Sequence, residues 1–156
     1  MTDYEKRLKE LKKQEETLQF TEFTSETALE IGMKLIEKAK SRNIPIIIDI
    51  TRNGHQLFHF SAEGTSPDND QWIIRKNNVV NRFHTSSLYI GTQLKMEGKT
   101  IEEKYHISSK EYAPFGGAFP LIIKNVGVVG AISVSGSRQI IDHNLIVEIL
   151  KEHLSK

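Results

Sequence analysis

Apolar residues along this chain recur at two different spacings, and the switches between them mark its elements. The clearest strand signal lies in the stretch from Tyr112 to Gly136. There Tyr112-Ala113-Pro114-Phe115-Gly116-Gly117-Ala118-Phe119-Pro120-Leu121-Ile122-Ile123 and Val128-Val129-Gly130-Ala131-Ile132-Ser133-Val134-Ser135-Gly136 flank a turn at Lys124-Asn125-Val126-Gly127. Two apolar runs around a short Asn/Gly turn predict a β-hairpin with a longer or bulged connection. In the second strand Val128, Gly130, Ile132 and Val134 share one parity, and Val129, Ala131, Ser133 and Ser135 share the other. One face is therefore greasy, while the other is small and gains hydroxyls toward its end. A face without bulk leaves room for a helix or for a ligand.

Upstream, Ile44-Pro45-Ile46-Ile47-Ile48-Asp49-Ile50 predicts a strand buried on both faces, in which Asp49 needs polar partners or an edge. Asn53-Gly54 then signals a hairpin into His55-Gln56-Leu57-Phe58-His59-Phe60. His55 and His59 share a face of that strand roughly 13 Å apart, too far to hold one metal together. They read as half-exposed strand histidines.

The helical spacing appears four times. Residues 3–19 are charged, with a thin stripe of Tyr4, Leu8, Leu11 and Leu18 that Glu15 interrupts. Such a helix frays in solution or lays its stripe on another surface, for instance a second subunit. Thr24 or Ser25 caps a helix over 26–40, with Ala28, Leu29, Gly32, Met33, Leu35, Ile36 and Ala39 on a broad apolar face. One long helix runs from about Asp68 or Asn69 to Met96, its start marked by Pro67 next to Ser66, Asp68 and Asp70, with the stripe Trp72, Lys76, Val79, Val80, Phe83, Ser87, Ile90 and Leu94. Thr100…Glu103 and Ser108…Glu111 fit capping boxes of two short turns. Asp142 caps a last helix over 140–154, whose Leu145, Ile146, Ile149, Leu150 and Leu154 face the core. The expected organisation is a polar helix or arm over 1–22 and a single α/β (α+β) domain over 23–156.

Composition narrows the function classes. A hydrophobic fraction of 38 % and a charged fraction of 26 % fit a soluble globular domain. A net charge of +1 argues against a dedicated nucleic-acid binder. No run approaches the roughly 20 apolar residues that span a bilayer, and the charged segment from Asp3 onward is unlike a signal peptide. The chain has no cysteine, which excludes disulfides, thiolate metal sites and a cysteine nucleophile, and suits the cytoplasm. Its six histidines lack metal-ligand spacing, so no metal site is expected.

Candidate chemistry concentrates in three places. Lys76 and Ser87 stand where the long helix expects apolar residues. Either Lys76 snorkels to water and Ser87 bonds to the preceding turn, or the helix lines a pocket with an ammonium and the hydroxyls of Thr85, Ser86 and Ser87. Arg75 beside Lys76 would favour an anionic ligand group. Gly116-Gly117 precedes a strand rather than a helix, so it lets the backbone approach a ligand or a neighbouring chain. His143 falls in the first turn of the last helix, where the dipole disfavours protonation, and is a candidate neutral base, ligand or donor. Nucleotide-binding glycine loops, a nucleophile elbow and a His-Glu-x-x-His helix are all missing from the sequence.

Gly116-Gly117-Ala118-Phe119-Pro120-Leu121-Ile122, then Val129 to Gly136, then Asp142-His143, resembles the GlcG/HbpS-like family of haem-degrading domain proteins. The likeness extends back through Trp72, Arg75-Lys76, Phe83 and Ser86-Ser87, so about residues 24–154 follow the family order. It looks closest to an uncharacterised branch with the Gly-Gly-x-Phe-Pro and Asp-His elements. The resemblance implies an antiparallel sheet flanked by helices in a profilin-like or PAS-like arrangement, and a symmetric homo-oligomer. Some members bind haem. The positions matching the family motif are Arg75, Lys76, Ser86, Ser87, Gly116, Gly117, Phe119, Pro120, Ser133, Ser135, Asp142 and His143. The Asp142-His143 pair departs from the haem-associated members, so haem does not transfer directly.

Three readings follow. In the first, an oligomeric binding protein takes haem or another anionic planar ligand under Gly116-Gly117. Arg75 and Lys76 pair with its carboxylates, Phe115 or Phe119 stacks, and His143 is the axial ligand. In the second, an enzyme acts on a small metabolite with His143 as base, held by Asp142, and Ser133 or Ser135 orienting the substrate. In the third, the chain is an assembly or scaffold protein.

Overall fold

Isoleucines at 46, 47, 48 and 50 suit a strand only where both of its faces are covered, and this strand lies inside the sheet. The computed structural model describes residues 1–155. Strands β1 (Ile47–Arg52), β2 (His55–Ser61), β3 (Ala118–Ile123) and β4 (Gly127–Ser135) form one antiparallel sheet in the order β2-β1-β4-β3. Helices α1 (Asp3–Thr17), α2 (Ser25–Ser41), α3 (Pro67–Phe83), α4 (Ser87–Glu97), α5 (Ile101–Tyr105) and α6 (Gln139–Leu154) surround it. This is the α+β domain that the spacing of apolar residues predicts.

The sheet separates two layers. On one face Ile48, Ile50, Phe119, Leu121, Ile132 and Val134 pack against Ile31 and Leu35 of α2 and Leu145 and Ile146 of α6. On the other face α3 sits on the small residues of β3 and β4, with Val80 against Ala118 and Ala131. The small face therefore receives a helix along most of its length. Val129 is the extra residue of a β-bulge, because Leu121 pairs with Gly130 and Ile122 with Val128. The bulge reverses the expected parity at the start of β4. Val128 joins the α3 side and Val129 the α2/α6 side.

Several boundaries differ from the sequence expectation. The single helix to Met96 is two. His84 closes α3 in the left-handed conformation (φ 55°), and the Ser86 hydroxyl accepts the Tyr89 N–H at 3.1 Å to begin α4. A serine N-cap competes locally with helix continuation, which the apolar stripe alone does not reveal. On α2, Leu29 and Met33 lie outside the buried face, 49 % and 46 % exposed. Ser108 to Glu111 forms only a turn, with the Glu111 N–H donating to the Ser108 carbonyl. Helix α6 starts at Gln139 after Arg138, so Asp142 is inside the helix rather than its N-cap; its carboxylate accepts the Ser137 N–H at 3.2 Å.

Helix α1 carries a Thr2–Glu5 capping box and packs on α4. Its Glu15, the residue that breaks the apolar stripe, is buried. It accepts the Thr85 hydroxyl at 2.6 Å and the Ser86 N–H at 3.2 Å, at the positive end of α4. Burial raises the Glu15 pKa, opposed by the Thr85 and Ser86 hydrogen bonds and by Lys12. After α1, the Phe20 backbone bonds Ile122 and Lys124 and covers part of the outer edge of β3. Replacing Glu15 with Ala leaves a buried hydroxyl and amide without their acceptor. Urea unfolding of Glu15→Ala should show a loss of about 2 kcal/mol with the m-value unchanged; a loss below about 0.5 kcal/mol would mean that this contact does not hold α1.

Candidate functional site

Helix α3 turns Trp72 and Lys76, four residues apart, toward the end of β4. There the 115–117 loop, the last residues of β4 and the start of α6 leave a cavity of about 360 Å³. Its wall contains Asn69, Trp72, Lys76, Phe115, Ser135, Ser137 and Gln139. The Trp72 and Phe115 rings meet edge to face, 5.8 Å between centroids and 81° between planes. Lys76 lines this space yet is 4 % exposed. Its Nζ lies 3.4 Å from the Val134 carbonyl and 3.5 Å from Asp142 Oδ2. Of the two outcomes open to Lys76 in the apolar stripe, snorkelling to water is therefore not the one adopted.

Gly117 is required at the edge of this cavity. It has φ +134°, and a Cβ there would stand 2.6 Å from Lys76 Nζ. The Gly116 N–H donates to Gln139 Oε1 at 2.9 Å, which ties the glycine loop to the first turn of α6. Burial and charge together set the ionisation of the pair beneath the loop. Asp142 is pushed up to about 6 by burial, against the pull of Lys76 and the Ser137 amide. Burial likewise lowers Lys76, against the pull of Asp142.

The family-motif residues fall into separate groups. Lys76 and Ser135 line the cavity, and Gly116, Gly117 and Asp142 stand directly behind or beside it. Ser133 contacts Asn77 of α3, and so closes the helix–sheet seam. Arg75 turns away: its guanidinium stacks on Trp72 at 4.2 Å and donates to the Ser109 carbonyl at 3.0 Å. Ser86 caps α4, and the Ser87 hydroxyl accepts the Ala118 N–H at 3.1 Å, so both serve structure and neither lines the cavity. Phe119 is in the main core and Pro120 pairs opposite Ala131 on the outer strand.

His143 is not at this cavity. It is fully buried, with Nε2 2.8 Å from Gln14 Oε1 of α1 and its ring 5.9 Å from Phe119. Its Nδ1 is buried without a hydrogen-bond partner. Consecutive helical side chains diverge by about 100°, so Asp142 faces Lys76 while His143 faces α1. Asp142 therefore does not hold His143, and the arrangement of a histidine base supported by its neighbour is not formed. An axial-ligand role would likewise require His143 to leave α1. Sequence reasoning missed Asn69, Ser137 and Gln139 as cavity residues. The last two sit where a strand ends and a helix begins, a position that often lines pockets in mixed folds.

Elsewhere, Asp49 meets the demand for partners through Gln56 Nε2 at 2.7 Å, His59 Nδ1 at 3.2 Å and Asn77 Nδ2 at 3.2 Å. Among the described residues there is no group of three metal-ligating side chains placed to hold an ion, and no helix long and apolar enough to cross a membrane.

A protein-family model described as haem degrading protein HbpS-like matches residues 23–151. The chain belongs to that family. A UPF0303 protein of Streptomyces coelicolor is 44 % identical over 147 residues, covering 94 % of this chain and 93 % of the relative. Among solved structures, the Ybr137w protein superposes with a TM-score of 0.89 at 34 % identity, over 95 % of this chain and 87 % of that one. The PduOC protein, solved as a complex with haem, has the same fold (TM-score 0.67, 12 % identity, 83 % of this chain and 93 % of that one). Helix α1 precedes the part matched by the HbpS-like model, yet it supplies the Gln14 partner of His143.

Burial, with a smaller contribution from Arg7, lowers His143 from its ordinary 6.5 to about 4. The unfolded chain therefore binds this proton more tightly than the folded one. The stabilisation from a neutral His143 is complete above about pH 6.5 and is lost as pH falls toward 4. Asp142 acts with the opposite sign between 3.8 and about 6, because ionising it in the folded state is the unfavourable step. In His143→Gln the histidine contribution disappears. The stability difference between wild type and variant should grow by up to about 3 kcal/mol from pH 4 to pH 6.5 and then level off, read by urea unfolding. A difference independent of pH would show that His143 is not held neutral by burial.

Proposed function

We propose that this chain is a small-molecule-binding protein whose cavity takes an anionic, planar ligand. The observation that carries this reading is Lys76, an ammonium withdrawn from water onto the wall of a cavity faced by two aromatic rings. Trp72 and Phe115 offer apolar surface to a flat molecule, and Lys76 with the Ser135 and Ser137 hydroxyls receives its negative group. The volume falls near the lower end of ligand pockets, which run from about 300 to 1,000 Å³.

Haem is the ligand that gives the HbpS-like family its description and that occupies the PduOC complex. Its carboxylates suit Lys76. Its iron is less well served, because no histidine, methionine, cysteine or tyrosine is among the residues lining the cavity. The reading therefore rests on the anionic group and not on iron ligation. A symmetric homo-oligomer in the cytoplasm, with residues 1–22 as an arm on the 23–156 domain, belongs to the same proposal.

Native mass spectrometry of the purified protein, with haem and separately with small aromatic carboxylates, tests it and counts the subunits. Stoichiometric binding that weakens by roughly tenfold or more in Lys76→Met is the expected result. Binding of haem alone would select haem over smaller anions. Absence of binding to either class, or an affinity unchanged in Lys76→Met, would overturn the proposal.

A further inference from the structure

A buried lysine beside a buried carboxyl at a ligand cavity supports covalent chemistry as well as binding. We infer that Lys76 is a carbonyl-reactive amine that forms an imine with a small 2-oxo acid or aldehyde acid seated in this cavity. The inference rests on the anionic-ligand reading above and names the substrate class of the same site.

Four observations lead to it. Lys76 lines the cavity, and the two acceptors of its Nζ stand at 3.4 and 3.5 Å. Charge-assisted hydrogen bonds are ordinarily about 2.7–2.9 Å, so the amine is confined but loosely held. Gly117 presents bare backbone beside Nζ, where a Cβ would stand 2.6 Å from the amine. Asp142 Oδ2 is the neighbouring proton carrier. Ser135 and Ser137 line the same cavity, and their hydroxyls are the donors available to the carboxylate of an oxo acid.

Electrostatics supports the geometry. Burial disfavours the ammonium and the carboxylate alike, against their attraction for each other, so a proton passed from Lys76 to Asp142 as the substrate enters removes two buried charges at the loss of that ion pair. That single transfer produces a free amine and a carboxylic acid side by side, the two reactants that imine formation requires. The amine nitrogen attacks the carbonyl carbon, and the carbonyl oxygen takes the Asp142 proton, giving a carbinolamine. The nitrogen then returns a proton to the Asp142 carboxylate. Asp142 protonates the carbinolamine hydroxyl, water departs, and the C=N bond forms as an iminium with the Asp142 carboxylate as its counter-ion. No oxidant or reductant is consumed.

The full-length protein at neutral pH, treated with glyoxylate and limiting cyanoborohydride, provides the test. Cyanoborohydride reduces an iminium to a stable secondary amine, and peptide mass mapping locates it. Lys76 should be modified roughly tenfold faster than the exposed lysines, despite its burial. In Asp142→Asn, with the fold checked by circular dichroism, its labelling should slow by about tenfold or more while the exposed lysines are unaffected. Should that variant not fold, the pH profile of labelling in the wild-type protein replaces it. A rate at Lys76 that tracks the exposed lysines across pH overturns the role of Asp142. Labelling of Lys76 no faster than that of exposed lysines overturns the inference itself. A parallel calorimetric titration with oxalate, which has no reactive carbonyl, separates the two proposals. Oxalate binding without labelling leaves the anion site standing and removes the imine, whereas no labelling and no binding of oxalate, haem or the aromatic carboxylates removes both.

Discussion

Small residues along β4 set how closely the helix layer can approach the sheet, and the rest of the structure follows from that approach. At Gly130 a side chain would overlap the Thr51 carbonyl oxygen, so β1 and β4 come together only because the position is bare. Beyond it, the seam between β4 and α3 changes character by steps. Ala131 meets Val80, Ser133 meets Asn77, and the end of the strand meets Lys76. Apolar contact gives way to polar contact and then to an open cavity. The same geometry that packs the helix therefore also delivers an ammonium to the place where packing stops.

A second constraint is the satisfaction of polar groups removed from water. Glu15, Asp49, Lys76, Asp142 and His143 are all buried, and each finds a partner on an element distant in sequence, Asp49 through Asn77 of α3. Leaving such groups unpaired costs more than their pairing gains, so these contacts determine which elements must dock together. Helix α6 illustrates the consequence. Its adjacent Asp142 and His143 look in different directions, one to the cavity and one to α1. A dipeptide that reads as one functional unit serves two separate environments. The unpartnered Nδ1 of His143 is consistent with a ring held neutral inside the protein.

Much of the fold was legible from the chain alone. Short apolar runs and the Asn53-Gly54 and Asn125-to-Gly127 turns marked both hairpins, and helical spacing marked α2, α3 and α6, because local sterics and side-chain burial act over a few residues. The family resemblance also lay in the sequence, carried by Gly116-Gly117 and the residues around β4. Lys76 was visible as an ion in an apolar stripe, although its environment was not. What the sequence left undecided depended on contacts between distant segments. The break at His84 and Ser86 is stabilised from outside by Glu15, some seventy residues earlier. The bulge at Val129 exists only in relation to the register of β3. Whether Lys76 met water, and whether Asp142 met His143 or Lys76, was decided only when α3, β4 and α6 came together, since spacing along a chain fixes the direction of a side chain but not what waits there.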